Sequence, residues 1–295
     1  MAATATLRGG PDARRRWAVL GLTAPAYLWL ALTIFLPLSA MLYFSFLTVA
    51  PLAGHQAEAT LANYRTFFVK PLYQFLAWRS IKLGFHVTFF CVLVGYPAAL
   101  VLAKVMRSRW REAVFLLIIL PFWSNGLVRT FSWTMVLRDG GIIDMAVRLV
   151  DPQASAIGLL YTYPAIVIGL VHSFVPYMIL TCYISLQAID DRLLEAARSL
   201  GAPGFTVFRR IVLPLSLPGL AGGVVLIFVP AIGAFMEPRI LGGPKGIMLG
   251  TVIEDQFIAV FNWPLGAALS FIMLGIVLLI LALAYPLLRR RLQVS

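Results

Sequence analysis

The stretch Asp190-Asp191-Arg192-Leu193-Leu194-Glu195-Ala196-Ala197-Arg198-Ser199-Leu200-Gly201-Ala202-Pro203, resumed at Arg209-Arg210-Ile211-Val212-Leu213-Pro214, is a charged island in an apolar chain. Leu193, Leu194, Ala196, Ala197 and Leu200 predict a short helix dense in small residues. Gly201 stands at its C-cap, where a left-handed backbone carries no Cβ penalty, and Pro203 keeps the helix from resuming. Phe205, Val207, Phe208, Ile211 and Val212 predict a second amphipathic piece, ended by Pro214. Helices this short are not stable alone in water. The segment reads as a helix–turn–helix that a partner holds.

Outward from the island, both flanks stay apolar for at least the roughly 20 residues that a helix needs to cross a bilayer core. Six such blocks follow one another: Ala18–Val49, Ile81–Ala103, Ala113–Leu137, Leu159–Leu186, Leu217–Met236 and Leu265–Leu288. The chain is 61% hydrophobic and 12% charged, with a mean hydropathy of +0.90, whereas soluble domains carry about 25% charged residues. A soluble protein of 295 residues could not bury that much apolar surface. Apolar residues surround each block instead of alternating, which predicts helices and argues against an outer-membrane barrel. The expected fold is all-α and integral to the membrane, with six spans. Arg14, Arg15 and Arg16 precede the first block as in a signal peptide, but the block outruns a signal core of roughly 7–15 residues and reads as a permanent span.

The distribution of charge orients these spans. With the N-terminus inside, the inner segments hold fifteen basic residues against five acids, and the outer segments hold eight against seven. Arg129 is the remaining base, inside a span. Lys and Arg gather on the cytoplasmic side of a membrane protein, so both termini face the cytoplasm and the net charge of +12 reports topology, not nucleic-acid binding. The layout expected is a cytoplasmic tail at 1–17, a membrane domain at 18–288 with the island in an inner loop at 187–216, and a second tail at 289–295. The outer loop Ala50–Ser80 is rich in aromatic residues suited to an interfacial helix or lid. The outer loop Arg138–Gly158 predicts a short amphipathic segment, and Pro238–Pro264 opens with turn-forming residues.

Residues that point to chemistry are few. Pro121, Pro164, Pro176 and Pro230 interrupt spans; a proline frees a carbonyl and bends the helix, which suits a transport path or simple packing. Arg129 lies deep enough to require a carboxylate, a carbonyl or water as partner. Glu237, at the outer end of the fifth span, has two readings: an attractor for a cation, or an interfacial acid paired with Arg239. His86 and His172 lack the further ligands of a metal site and are expected to be packed and hydrogen-bonded. Gly219 and Gly223 have the small-xxx-small spacing that lets helices approach closely, and Cys91 and Cys182 read as apolar packing residues. No Gly-x-x-x-x-Gly-Lys-Ser/Thr segment exists for ATP, and no His-Glu-x-x-His or nucleophile–base set supports an intramembrane enzyme. An ion-coupled secondary transporter would show repeated halves and mid-membrane acids, which are not seen here.

The order Glu195-Ala196-Ala197, Gly201 and Ile211-Val212-Leu213-Pro214, between the fourth and fifth spans, resembles the cytoplasmic loop of binding-protein-dependent ABC importer permeases. Pro121-Phe122-Trp123-Ser124-Asn125-Gly126-Leu127-Val128-Arg129-Thr130-Phe131-Ser132-Trp133 is similar to the third span of the spermidine/putrescine-type subfamily. So are Leu241-Gly242-Gly243-Pro244 and the stretch through Asn262-Trp263-Pro264-Leu265-Gly266-Ala267-Ala268. The resemblance implies a type I importer permease in a bacterial cytoplasmic (inner) membrane. It implies a second homologous permease, a dimer of ATPase subunits that binds ATP and Mg, and an extracytoplasmic solute-binding protein as partners. The chain itself would bind no cofactor and catalyse nothing. Asp190, Glu195, Ala196, Ala197, Arg198, Gly201, Ile211, Leu213 and Pro214 would form the ATPase-coupling loop. Trp123, Asn125, Arg129, Trp133, Tyr177, Phe235 and Glu237 would border the path. The solute implied is a small amine, putrescine or spermidine before an opine, an amino-acid-like compound or a phosphonate.

Overall fold

The computed structural model describes residues 11–50, 57–106, 108–151 and 157–292. The tails expected at 1–17 and 289–295 fall largely outside these residues, as do the side chains of Arg14, Arg15, Arg16, Arg289, Arg290 and Arg291. The elements in chain order are α1 (Pro11–Ser45), α2 (Ala62–Val69), α3 (Pro71–Leu100), a π-turn (Val101–Val105) and α4 (Ser108–Ile119). A 3-10 turn (Leu120–Trp123), α5 (Gly126–Leu137), α6 (Ile142–Val150), α7 (Tyr163–Gln187), α8 (Asp191–Ser199) and α9 (Gly204–Val207) follow. A second π-turn (Phe208–Val212), α10 (Leu213–Ile232), α11 (Met236–Gly242), α12 (Leu249–Ile258) and α13 (Trp263–Leu292) complete the chain.

Five helical segments are long and apolar enough to cross a membrane: Leu20–Ser45, Pro71–Val105, Tyr163–Gln187, Gly204–Ile232 and Trp263–Pro286. The third expected span, Ala113–Leu137, is not one straight helix. Two pieces, Arg109–Trp123 and Gly126–Val150, meet at 97° and make the sixth crossing only as a pair. The cause is local. Pro121 supplies no N–H, Ser124 is extended, and Asn125 starts α5 by accepting the Leu127 N–H at 2.8 Å, as an N-cap asparagine does.

Two other boundaries move. The second span begins at Pro71, not Ile81, because Pro71 opens the helix and its outer turns bury Tyr73, Leu76 and Ala77. Pro214 does not end the second piece of the island. The backbone runs unbroken from Gly204 to Ile232 because a π-turn shifts the hydrogen bond, Leu213 N–H reaching Phe208 O, just before the residue that lacks a donor.

Helices α3, α7 and α10 form the core. A Cβ on Gly223 would stand 2.5 Å from Thr181 Oγ1, and one on Gly219 2.5 Å from Thr181 O, so α10 lies on α7 at glycine distance. Tyr96 on α3 shares a buried 2.8 Å hydrogen bond with Ser216 on α10. Cys91 and Cys182 are free and fully buried, as packing residues should be. By contrast, the first span is 6% buried over its most apolar window and touches α13. A helix that presents Leu22, Leu28, Trp29 and Phe35 outward is compatible with lipid, not water.

Candidate functional site

The island folds as predicted up to its turn. Asp190 caps α8 by accepting the Arg192 N–H at 2.9 Å. At the other end Gly201 has φ +81°. Its N–H bonds Arg198 O at 2.9 Å while Ala202 N–H bonds Ala197 O at 3.1 Å, the paired bonds of a Schellman cap. Pro203 then precedes α9, whose Val207 is buried together with Leu194 of α8. Leu200 is 89% exposed and Phe205 73% exposed, so the hairpin keeps two large apolar side chains outside its own small core. Glu195 and Ala196 are exposed, Ala197 is half-buried, and Ile211, Leu213 and Pro214 are partly covered on the way into α10.

One contact at this end was not legible in the chain. Lys104, in the π-turn that closes α3, donates to Ile189 O at 2.7 Å and pairs with Asp191 at 2.6 Å. Its own side chain is 11% exposed and that of Asp191 is 72% exposed. The elbow between α7 and α8 is therefore tied to the C-terminal end of α3 through one largely covered ammonium. The chain separates Lys104 from Asp191 by nearly a third of its length, and no local spacing announces the pair.

The other candidate residues gather less completely. Arg129 Nη1 donates to Pro121 O at 3.2 Å, the carbonyl beside the break, while its buried Nε has no hydrogen-bond partner. Arg129, Trp133, Ser132, Ser124 and His172 line a groove of about 350 Å³. Trp133 and His172 also line a larger groove of about 620 Å³ with His86, Phe90, Tyr163 and Val171. Trp133 packs edge-on against His172 with ring centres 5.3 Å apart. His86 shares a 2.8 Å hydrogen bond with Tyr163, as expected of a packed histidine, but the buried Nδ1 of His172 has none.

Asn125 serves as a helix cap, Tyr177 packs edge-on against Phe122 at 4.5 Å, and Trp123 is 88% exposed. None of these three, nor Phe235 or Glu237, lines the two grooves. Glu237 is not the partner of Arg239, whose Nη2 lies 2.6 Å from Asp255 and 2.9 Å from Glu254. Burial pushes the Glu237 carboxyl up, opposed by its own backbone N–H and by the Arg129 charge. Among the described residues no ion pair joins Glu237 to Arg129 or to Arg239. Among the described residues no group of three or more His, Cys, Asp or Glu side chains is placed to hold a metal ion.

Over 270 residues the chain is 34% identical to the spermidine/putrescine transport system permease protein PotB of Haemophilus influenzae, covering 90% of this chain and 94% of that one. It is 35% identical to PotB of Escherichia coli K12 over 270 residues, 90% and 98% of the two chains. A chain of a bacterial alginate ABC transporter, solved in complex with an alginate pentasaccharide-bound periplasmic protein, superposes with a TM-score of 0.75 at 17% identity, over 97% of this chain and 98% of that chain. Residues 95–294 match the family described as binding-protein-dependent transport system inner membrane component. The chain belongs to that family and is a multi-pass ABC importer permease.

Proposed function

We propose that this chain is one of two homologous permease subunits of an importer for small linear amines, with putrescine and spermidine as the substrate class. The observation that carries the reading is 34–35% identity to spermidine/putrescine permeases over nine-tenths of the chain. A pair of ATPase subunits binds ATP and Mg, an extracytoplasmic binding protein delivers the amine, and this chain catalyses nothing itself. The capped hairpin at 190–214 docks in the ATPase. Leu200 and Phe205 enter the partner's groove, and the Lys104 tie passes the movement to α3. ATP drives transport by binding one conformation better than the other. Arg129 and Glu237 flank the break in the third span, where the carbonyl freed by Pro121 lets the outer half of that span change angle.

Uptake by the complete importer in proteoliposomes tests this reading. ATP-dependent accumulation of labelled putrescine or spermidine, with none of phosphate, is the expected result. Phosphate uptake with neither amine competing would refute the substrate and leave the family unchanged.

A further inference from the structure

Between the outer end of α10, helix α12 and the first turns of α13 lies a cavity of about 420 Å³. Gly250 lets α12 approach the backbone after α10 closely at its edge: a Cβ there would stand 2.7 Å from Ala234 O. Phe235, Phe257, Ile253 and Met273 supply an apolar wall, and Glu254 and Ser270 are the polar side chains in it. Phe257 is fixed in place. Trp263 Nε1 donates to its carbonyl at 3.2 Å, and its ring closes to 3.0 Å of where a Gly266 Cβ would be.

The polar groups present acceptors and no free donor. Ser270 gives its hydroxyl proton to Gly266 O at 2.9 Å, which leaves oxygen lone pairs for a visitor. Glu254 Oε2 is ion-paired with Arg239 Nη2 at 2.9 Å, and the same nitrogen bonds Asp255 Oδ1 at 2.6 Å. One guanidinium serves two carboxylates, so the group keeps an excess negative charge. Two carboxylates that share one cation attract a further positive charge, and the Glu254 side chain is 22% exposed. A ligand that donates several hydrogen bonds, carries positive charge and tolerates aromatic faces is a primary ammonium.

We infer that this cavity is the outer binding site for one terminal ammonium of the transported amine. Glu254 is the charged acceptor, Ser270 the second acceptor, and Phe235 and Phe257 supply the ring faces. The methylene chain lies along Ile253 and Met273. The inference rests on the amine reading above and assigns its entry site, which that reading does not.

The test is putrescine uptake by the complete importer in proteoliposomes carrying single variants of this chain. Glu254→Gln should raise KM about tenfold, the worth of one charge-assisted contact, with assembly and maximal rate unchanged. Glu254→Asp should restore most of the affinity. Arg239→Gln separates a ligand site from a structural ion pair, because removing the competing cation should leave KM unchanged or lower it. Should Glu254→Gln fail to assemble, Phe257→Leu carries the test with an expected rise of about threefold. A wild-type KM in Glu254→Gln, or an equal rise in Arg239→Gln, would overturn the site while the amine reading stands. Absence of any amine uptake by the wild-type importer would remove the substrate reading and this site with it.

Discussion

The hairpin at 190–214 and the broken third span both interrupt an apolar helix, yet they are finished differently. The hairpin has a capping aspartate, a Schellman turn at Gly201 and a largely covered lysine tying its elbow to α3. The break at Pro121 leaves Arg129 Nε and His172 Nδ1 buried without hydrogen bonds beside two adjoining grooves. An unmade hydrogen bond in a buried place costs about 1–3 kcal/mol. On the function proposed above, the hairpin transmits force and keeps a single shape by satisfying itself. On the same reading the break admits a solute or changes angle, and it leaves bonds open.

That contrast breaks most readily at Gly201. Its φ of +81° belongs to a region that costs an L-residue about 1–2 kcal/mol, more when the side chain is β-branched. Gly201→Val should reduce ATP-driven uptake at least about tenfold, or release the ATPase subunit, while the chain still inserts. Wild-type uptake would show that the turn is not part of the coupling element.

A smaller effect is expected at Lys104. Asp191 is largely exposed, so the ion pair itself is weak. The loss comes mainly from leaving Ile189 O without its donor, about 1 kcal/mol. Lys104→Met should lower the ratio of solute moved to ATP hydrolysed by about fivefold, with Lys104→Arg closer to wild type. An unchanged ratio would free the elbow from any part in coupling.

Arg129 and Glu237 sharpen the other side of the contrast. Arg129→Gln leaves Glu237 partly buried without its opposing cation, and Glu237→Gln relieves it. The double variant should therefore lie closer to wild type in uptake than the two single effects predict, a coupling of about 1 kcal/mol in a double-mutant cycle. Strict additivity would show that the two residues act separately.

Much of this was legible in the chain. Hydropathy blocks located the spans, and Gly201 announced its own conformation because no other residue type takes it so readily. Helix ends were harder. Pro214 looks like a stop in a list of residues, but a π-turn one step earlier removes the need for its missing N–H. The third span looked continuous because hydropathy does not register direction, and only the Pro121–Asn125 geometry turns it by 97°. Pairs made across the fold, Lys104 with Asp191 and Arg239 with Glu254 and Asp255, carry no local signature at all.

Docking of the ATPase on the hairpin is the claim on which the contrast depends. Leu200 is 89% exposed on that hairpin and Trp123 88% exposed at the break, so replacing either side chain removes few contacts within the chain. Co-purification of the ATPase subunit with Leu200→Glu and Trp123→Glu compares the two regions directly. The assignment predicts that Leu200→Glu loses the ATPase and Trp123→Glu retains it. Retention with Leu200→Glu at wild-type yield, together with loss from Trp123→Glu, would contradict it.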